Sequence, residues 1–484
     1  MLGTNWGRGV SRQNPHSLNK KEACETQQAL ADERQALAEL SAARSKLLPW
    51  HNTEAKRAAW VLEARWLRAQ RNCLDKATVA ITTYKDLVED ARVGEEAQSL
   101  LCDLCWLLFN WAEERGKKIA AAYYMRLLDA YDDGRYLDIR EGICTLEVES
   151  APAFAKVWLE RLDGQHTIRF LGKTPIDPTD VDPGSYRLRL ELSGHAPLWY
   201  AFVLKRSSDL QLRIRLFPSV QLGADYCQVN AGHFSSGGDL RADGSGQTQE
   251  RFVDSFAIAR NPVTVAEYQS YLNAISVERP AQAIRDTPHG CARALGDGDM
   301  PVTGINLQAA RAYCSWLSES LGAEYRLPTE FEWEKAARGA DGRIYPWGNR
   351  FDANRCQMRY TRAGAPKRVT INCSDEDISV YGMRFSAGLV TEWTDSPFDG
   401  DPQAYVVRGG SFEEGADACR LARRHAFEIG KKRSDLGFRV VRQLPSGGGD
   451  VVRHSTIPSL LEDKPATKPN SHLILLKTDD DSTR

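Results

Sequence analysis

The sequence lacks any run of about eighteen apolar residues, the length a helix needs to cross a bilayer. Its opening, MLGTNWGRGVSRQNPHSLNKKEACETQQ, lacks the apolar core of a secretory leader, so a cytoplasmic location is expected. It lacks an excess of either charge: 63 Lys and Arg stand against 65 Asp and Glu. No global field therefore draws it to nucleic acid or to an anionic membrane, and neither is expected as a partner. Its eleven cysteines are odd in number and irregularly spaced, which excludes a simple disulfide framework and predicts reduced thiols, most of them core residues. The nine histidines are isolated, so no histidine metal site is legible.

At 484 residues the chain exceeds what one core can serve, and its composition changes four times. Residues 1–28 are polar and predict a disordered N-terminus. Residues 29–140 are rich in Ala, Leu, Glu and Arg and predict an all-α region, with Trp60, Ala64, Leu67, Arg71 and Leu74 as one helical row. Segments such as AAWVLEARWLRAQRNCLDKATVAITTYKDLVED and AAAYYMRLLDAYDDGRY resemble the helix pairs of a tetratricopeptide array, without a clean period. Within this region Cys102 and Cys105 form a CxxC, but no second pair or histidine stands at zinc-ligand spacing, so they read as buried helix-face thiols.

From 141 to 219 apolar and polar residues alternate in CTLEVES, AKVWLER, SYRLRLELSG and LQLRIRLF, the pattern of a small antiparallel β-sandwich. The segments APAFAKVWL, LGKTPI and DPGSYRLRLELSGHAP resemble PEGA-type domains, a likeness that implies a surface or linker module without chemistry. Residues 220–443 combine Gly-rich loops, several Trp and few helices, an α+β domain. Residues 444–484 are rich in Gly, Pro, Ser and charge and predict a disordered tail.

Three helices of the α+β region announce themselves by their caps: Thr264 with Glu267, Thr329 with Glu332, and Asn306 with Gly322 past the end. FAIARNPVTVAEYQSYL, PVTGINLQAARAYCSWLSESLGAEYRLPTEFEWEKAARGADGRIYPWGN, YGMRFSAGLVTEWT and the series VRGGSF, CRLARR, LGFRVVR follow in order. Together they resemble the formylglycine-generating enzyme, or sulfatase-modifying factor, family. The likeness implies a variant C-type-lectin-like fold. The order of the three regions also resembles the C-terminal part of some bacterial Ser/Thr protein kinases, although no kinase signature is present.

In that family a CxxxxC pair after the GGS motif holds copper(I), and the enzymes oxidise a cysteine of a sulfatase peptide to formylglycine. A soft monovalent ion needs two thiolates. Counting from Ser411, the first thiol falls on Glu414 and the second on Cys419, so half of the pair is missing. Counting back from Gly437, Phe438 and Arg439 puts Arg420 and Arg424 on the family's RxxxR and leaves Cys419 just outside the reactive column. Nothing in the spacing of Cys356 or Cys373 demands that either supply a second thiolate. Leu389 replaces a calcium-ligating asparagine of the family, and Leu307 replaces an aromatic.

The catalytic candidates are therefore Cys419 and Glu414. Candidate ligand contacts are Trp393, Asp395, Arg423, His425, Lys431 and Arg433, on a loop face made of residues 393–399, 409–424 and 427–435. No metal ligand is assigned. The preferred reading is a non-catalytic binding or regulatory module of bacterial signalling, with no cofactor and a protein partner met through the helical region and the loop face. The alternative is a formylglycine-generating oxidase, or related oxygenase acting on a protein cysteine, with a rearranged site. Copper or calcium enters only there.

Overall fold

The computed structural model describes residues 20–456 apart from 46–52, 91, 115–116, 133, 137–141, 164–166, 207, 289–297, 362–363, 365, 374–375 and 445–450. The chain divides into two compact units, a helical one drawn mostly from residues before 142 and a β-rich one running from residue 142.

The helical unit contains α1 (Lys21–Ser45), α2 (Thr53–Leu87), α3 (Gly94–Glu114) and α4 (Lys118–Tyr131). Contacts of Glu25 with Lys76 and of Glu39 with Arg65 set α1 antiparallel to α2. The wholly buried Glu33 of α1 accepts the indole N–H of Trp66 from α2 at 2.8 Å and that of Trp111 from α3 at 3.3 Å, tying three helices to one carboxylate. Helix α1 begins inside the stretch expected to be disordered, because Thr26 and Glu33 occupy buried positions of its inner stripe and hide the apolar periodicity. The expected row on α2 is likewise not the buried one: Trp60 and Leu67 are 51% and 49% exposed. The buried stripe is Ala59, Cys73, Ala77, Ala80, Ile81 and Tyr84, whose small members admit the neighbouring helices. At 35 residues α2 alone is as long as a complete tetratricopeptide helix pair of about 34 residues, so no such repeat is legible in these four helices. Cys102 and Cys105 are buried, and burial pushes the Cys105 thiol up to about 12.

The β-rich unit opens with β1 (Cys144–Ala151), β2 (Lys156–Arg161), β3 (Ile168–Lys173), β4 (Ile176–Val181), β5 (Gly184–Glu191), β6 (Leu198–Leu204) and β7 (Ser208–Arg215). They form a sandwich of two sheets, β3-β2-β5-β6 and β7-β1-β4, whose inward positions, such as Leu146, Val148, Leu188, Leu190, Leu210 and Leu212, are buried.

Beyond the sandwich come β8 (Tyr226–Val229), β9 (Gly232–Ser236), β10 (Gln249–Val253), β11 (Phe256–Ala259), α5 (Val265–Glu278), α6 (Pro280–Asp286), α7 (Leu307–Leu321), β12 (Tyr325–Arg326) and α8 (Glu330–Arg338). Then follow β13 (Thr391–Phe398), β14 (Asp401–Arg408), β15 (His425–Glu428), β16 (Leu436–Gly437) and β17 (Val441–Gln443). Both reciprocal capping boxes form, at Thr264 with Glu267 and at Thr329 with Glu332. Asn306 caps α7, and Gly322 ends it in the left-handed region. Sheets β12-β17-β11-β8 and β15-β14-β13-β16 hold the domain with little regular structure between them.

Buried ion pairs replace much of the missing ladder. Arg408 bonds Glu330 and Glu334 at 3.0 Å each, Arg424 bonds Glu330 at 2.6 Å, and Arg439 bonds Glu392 at 2.6 Å. Trp333 donates to the same Glu392 at 2.7 Å. Ser185 of β5 donates to Asp341 at 2.7 Å, and Gln228 of β8 donates to the carbonyl of Arg215, joining sandwich and α+β domain.

The tail expected to be disordered returns instead as β18 (Val451–Thr456), which pairs antiparallel with β7 from Val451 opposite Arg213 to Thr456 opposite Ser208. The run VVRHST carries β-branched residues at both ends, and β7 is otherwise the edge strand of its sheet. Residues 1–19 and 457–484, also expected to be disordered, lie outside the described residues.

Candidate functional site

Strand β14 runs into Gly409 and Gly410, where the chain passes a crowded crossing. A Cβ at Gly410 would stand 2.6 Å from the Ala387 carbonyl oxygen and 2.9 Å from that of Ala418, and Gly409 has φ +76°. Both glycines are thus demanded by the fold. Ser411 then donates to Asp435 at 2.5 Å, and a short 3-10 turn (Ala416–Cys419) delivers Cys419 inward.

The Sγ of Cys419 lies 3.7 Å from the Sγ of Cys356, which comes from the turn after Ala353–Arg355. Each cysteine is 1% exposed, in an apolar cluster with Tyr345, Met358 and Ala387. The hydrogen-bonded Cys356 and burial hold the Cys419 thiol well above the ordinary thiol range, and the carboxylates of Asp377 and Glu414 add to this. Asp377, itself buried, accepts the backbone N–H groups of Ser386, Ala387 and Gly388 at 3.1, 3.0 and 3.2 Å. Burial outweighs those donors and pushes its carboxyl up to about 7.

Glu414 acts on the Cys419 thiol only through its charge and is held by other partners. Its carboxylate takes two hydrogen bonds from Arg423, at 2.7 and 3.0 Å. Burial alone would raise its pKa, but Arg423 first, with Arg433 and His425 behind it, holds it below the usual range. His425 is buried at the start of β15; burial, then the charges of Arg423 and Arg433, bring its pKa down to about 3. Arg433 reaches Asp435 at 2.5 Å and Thr391 at 2.9 Å. Glu414, Arg423, His425 and Arg433 thus gather into one polar cluster with Asp435 and Thr391.

Other candidates lie elsewhere. Trp393 is wholly buried, donates to the Ile305 carbonyl at 2.9 Å and meets Phe427 edge-on, so it is a core residue and offers nothing to a ligand. Its place in β13 turns it inward against α7, which the loop-like sequence around it concealed. Asp395 is paired with Arg311, and Lys431 is exposed and paired with Glu428 at 2.5 Å. Sequence reasoning missed Asp377 altogether and gave Cys356 no role. The signal for Cys356 lay in the fold, since 63 positions separate it from Cys419.

Residues 217–444 match the family model for the sulfatase-modifying factor enzyme 1-like domain, and residues 143–219 match that for the PEGA domain. The chain carries a sulfatase-modifying factor domain behind a PEGA domain. The bovine inactive C-alpha-formylglycine-generating enzyme 2 is 34% identical over 157 residues, 29% of this chain and 50% of that protein. The bovine formylglycine-generating enzyme is 25% identical over 287 residues, 46% of this chain and 75% of that protein. The Ser/Thr protein kinase Pkn1 of Chlamydia trachomatis is 28% identical over 246 residues, 44% of this chain and 38% of that protein. The chain therefore spans half the length of the first of these relatives and less of the kinase.

The metals that the sulfatase-modifying factor domain implies can be tested against these residues. Calcium needs oxygen donors, but Leu389 is wholly buried with Phe385 and Val390. Its backbone sits at φ +76°, a region that asparagine tolerates and leucine enters at a cost of about 1 kcal/mol or more. The Leu389 side chain offers no oxygen donor to calcium. For copper(I), Cys356 and Cys419 have the right softness, yet neither thiol opens to solvent, and Cys356 together with burial holds the Cys419 thiol well above the ordinary range. A peptide thiol could not reach an ion held there, so the arrangement does not fit turnover. Among the described residues no group of three or more His, Cys, Asp and Glu is arranged to hold a metal ion.

Proposed function

We propose that this protein is a non-catalytic member of the sulfatase-modifying factor family, working as a binding or regulatory module. The observation that carries the proposal is the ion pair at Glu414: counted from Ser411, the position of the family's first thiol bears a carboxylate engaged by Arg423. The higher identity to a relative named inactive supports it, although over a shorter stretch than the match to the enzyme. In this reading the face around Lys431 and Arg433 and the helical unit each take a protein partner, while Arg423 stays buried on Glu414. The likeness to a chlamydial kinase supports a bacterial signalling setting, in the cytoplasm and without a cofactor, with the kinase supplied as a separate chain. No helix of the described residues is long and apolar enough to cross a membrane.

The test is affinity capture with the full chain against a charge-reversed loop face, K431E/R433E, followed by identification of what is retained. A partner lost with the variant supports the proposal; identical capture by both proteins overturns the role of this face.

One observation favours a second reading. The 3.7 Å approach of Cys356 to Cys419 supplies the second sulfur that the CxxxxC spacing lacks, as a rearranged copper site would require. Copper(I) titration of the reduced protein, with mass spectrometry of a cysteine-containing sulfatase peptide, decides between the two. Tight stoichiometric copper together with formylglycine in the peptide would establish the oxidase.

A further inference from the structure

We propose that Cys356 and Cys419 are a covalent modification site, a dithiol that peroxide converts into a reversible disulfide within the folded protein. The two sulfurs are already in contact at 3.7 Å. Bond formation requires them to close to about 2.05 Å, a shift that side-chain rotation provides among yielding neighbours such as Met358 and Ala387.

The pair joins two segments that also meet where Arg359 N–H donates to the Glu414 carbonyl at 2.9 Å; a separate bond, from Leu389 N–H to the Gln357 carbonyl at 2.8 Å, ties the first segment to the stretch before β13. Between the 3-10 turn at Ala353–Arg355 and Thr361 the backbone is neither helix nor strand, held locally by Thr361 Oγ1 on the Cys356 carbonyl at 2.7 Å. Because the two thiols are closed to solvent, their oxidation requires this segment to open locally, without unfolding the domain, for a small oxidant to reach them.

The chemistry balances with hydrogen peroxide as oxidant. Once the segment admits water, one thiol loses its proton, the thiolate takes an oxygen atom from the peroxide to become a sulfenic acid, and the hydroxide released joins that proton as one water. The second thiol attacks that sulfur, the S–S bond forms, and the hydroxyl leaves with the second thiol's proton as another water. Two thiols are oxidised and one peroxide is reduced; an external dithiol reverses the step by exchange. Once formed, the disulfide fastens the 353–361 segment to the loop that carries Glu414. It also closes a long covalent loop, which penalises the unfolded chain.

The experiment treats the reduced full-length protein with hydrogen peroxide under native conditions, blocks remaining thiols with N-ethylmaleimide, and maps peptides without reductant. The expected result is one linked peptide pair containing Cys356 and Cys419, abolished by dithiothreitol. Recovery of both cysteines as blocked thiols, as sulfinic or sulfonic acids, or linked to other cysteines would overturn the proposal. So would a link that appears only after denaturation. As a second readout, the oxidised protein should melt roughly 5–15 °C above the reduced one, and C356A should lose that difference. Should C356A fail to fold, the peptide map of the unaltered protein decides.

Discussion

Arg423 grips Glu414 with two hydrogen bonds, and only 8% and 21% of the two side chains remain open to solvent. Truncating one partner strands the other charge in a poorly hydrated place. E414A should lower stability by about 2–3 kcal/mol, less than a fully buried pair because Glu414 keeps some water. E414Q, which preserves one acceptor, should cost less than E414A. Urea denaturation of the three proteins measures both.

Restoring the CxxxxC spacing should not restore the oxidation. In E414C the new thiol sits where a carboxylate neutralised Arg423, while Cys419 remains turned toward Cys356 inside the apolar cluster. The expected outcome is no formylglycine in a sulfatase peptide supplied with copper(I) and oxygen, read by mass spectrometry.

Two buried groups should give stability opposite dependences on pH. His425 titrates near 3 when folded and near 6.5 when unfolded, so the unfolded chain takes up the proton first and stability falls as pH drops through that window. At pH 5 this amounts to about 2 kcal/mol. Asp377, raised to about 7, has the reverse sign: its contribution is complete below about pH 4 and is lost as pH rises through 7. Relative to the unaltered protein, H425Q should gain about 2 kcal/mol between pH 7.5 and pH 5. Unfolding midpoints across pH 4.5–8 check it, and D377N should change the slope in the other sense.

The helical unit should depend on one carboxylate. E33A removes the shared acceptor of the Trp66 and Trp111 indole N–H groups, which lie on different helices. A loss of about 2–4 kcal/mol in that unit is expected, seen as an earlier loss of helical circular dichroism. The melting of the C-terminal region should stay unchanged.

Much of the architecture was legible because its signals are local. Thr264, Thr329 and Asn306 act on amide groups three residues away, so the helices of the C-terminal domain could be placed from spacing alone. The alternating strands of the sandwich report a face that period two makes visible. What stayed hidden depends on contacts far apart in sequence or on polar groups in apolar places. Glu33 masks the inner stripe of α1, and α2 carries apolar residues on more than one face, so the row through Trp60 and Leu67 was the wrong one. At the candidate site the substitution at Glu414 was plain, but its engagement by Arg423 needed coordinates. The meeting of Cys356 with Cys419 is a product of chain routing that no spacing rule records.

The pairing of β18 with β7 changes how the sulfatase-modifying factor domain is mounted. Its two ends leave the PEGA sandwich from neighbouring strands, so the domain is suspended as an enlarged hairpin loop, clasped at both feet. A pull on either end of it is borne by hydrogen-bonded strands and not by a single swivel. Deleting residues from 445 onward would leave every residue of the domain in place and remove one of the two feet, with the Ser185–Asp341 and Gln228–Arg215 bonds left to hold the other side.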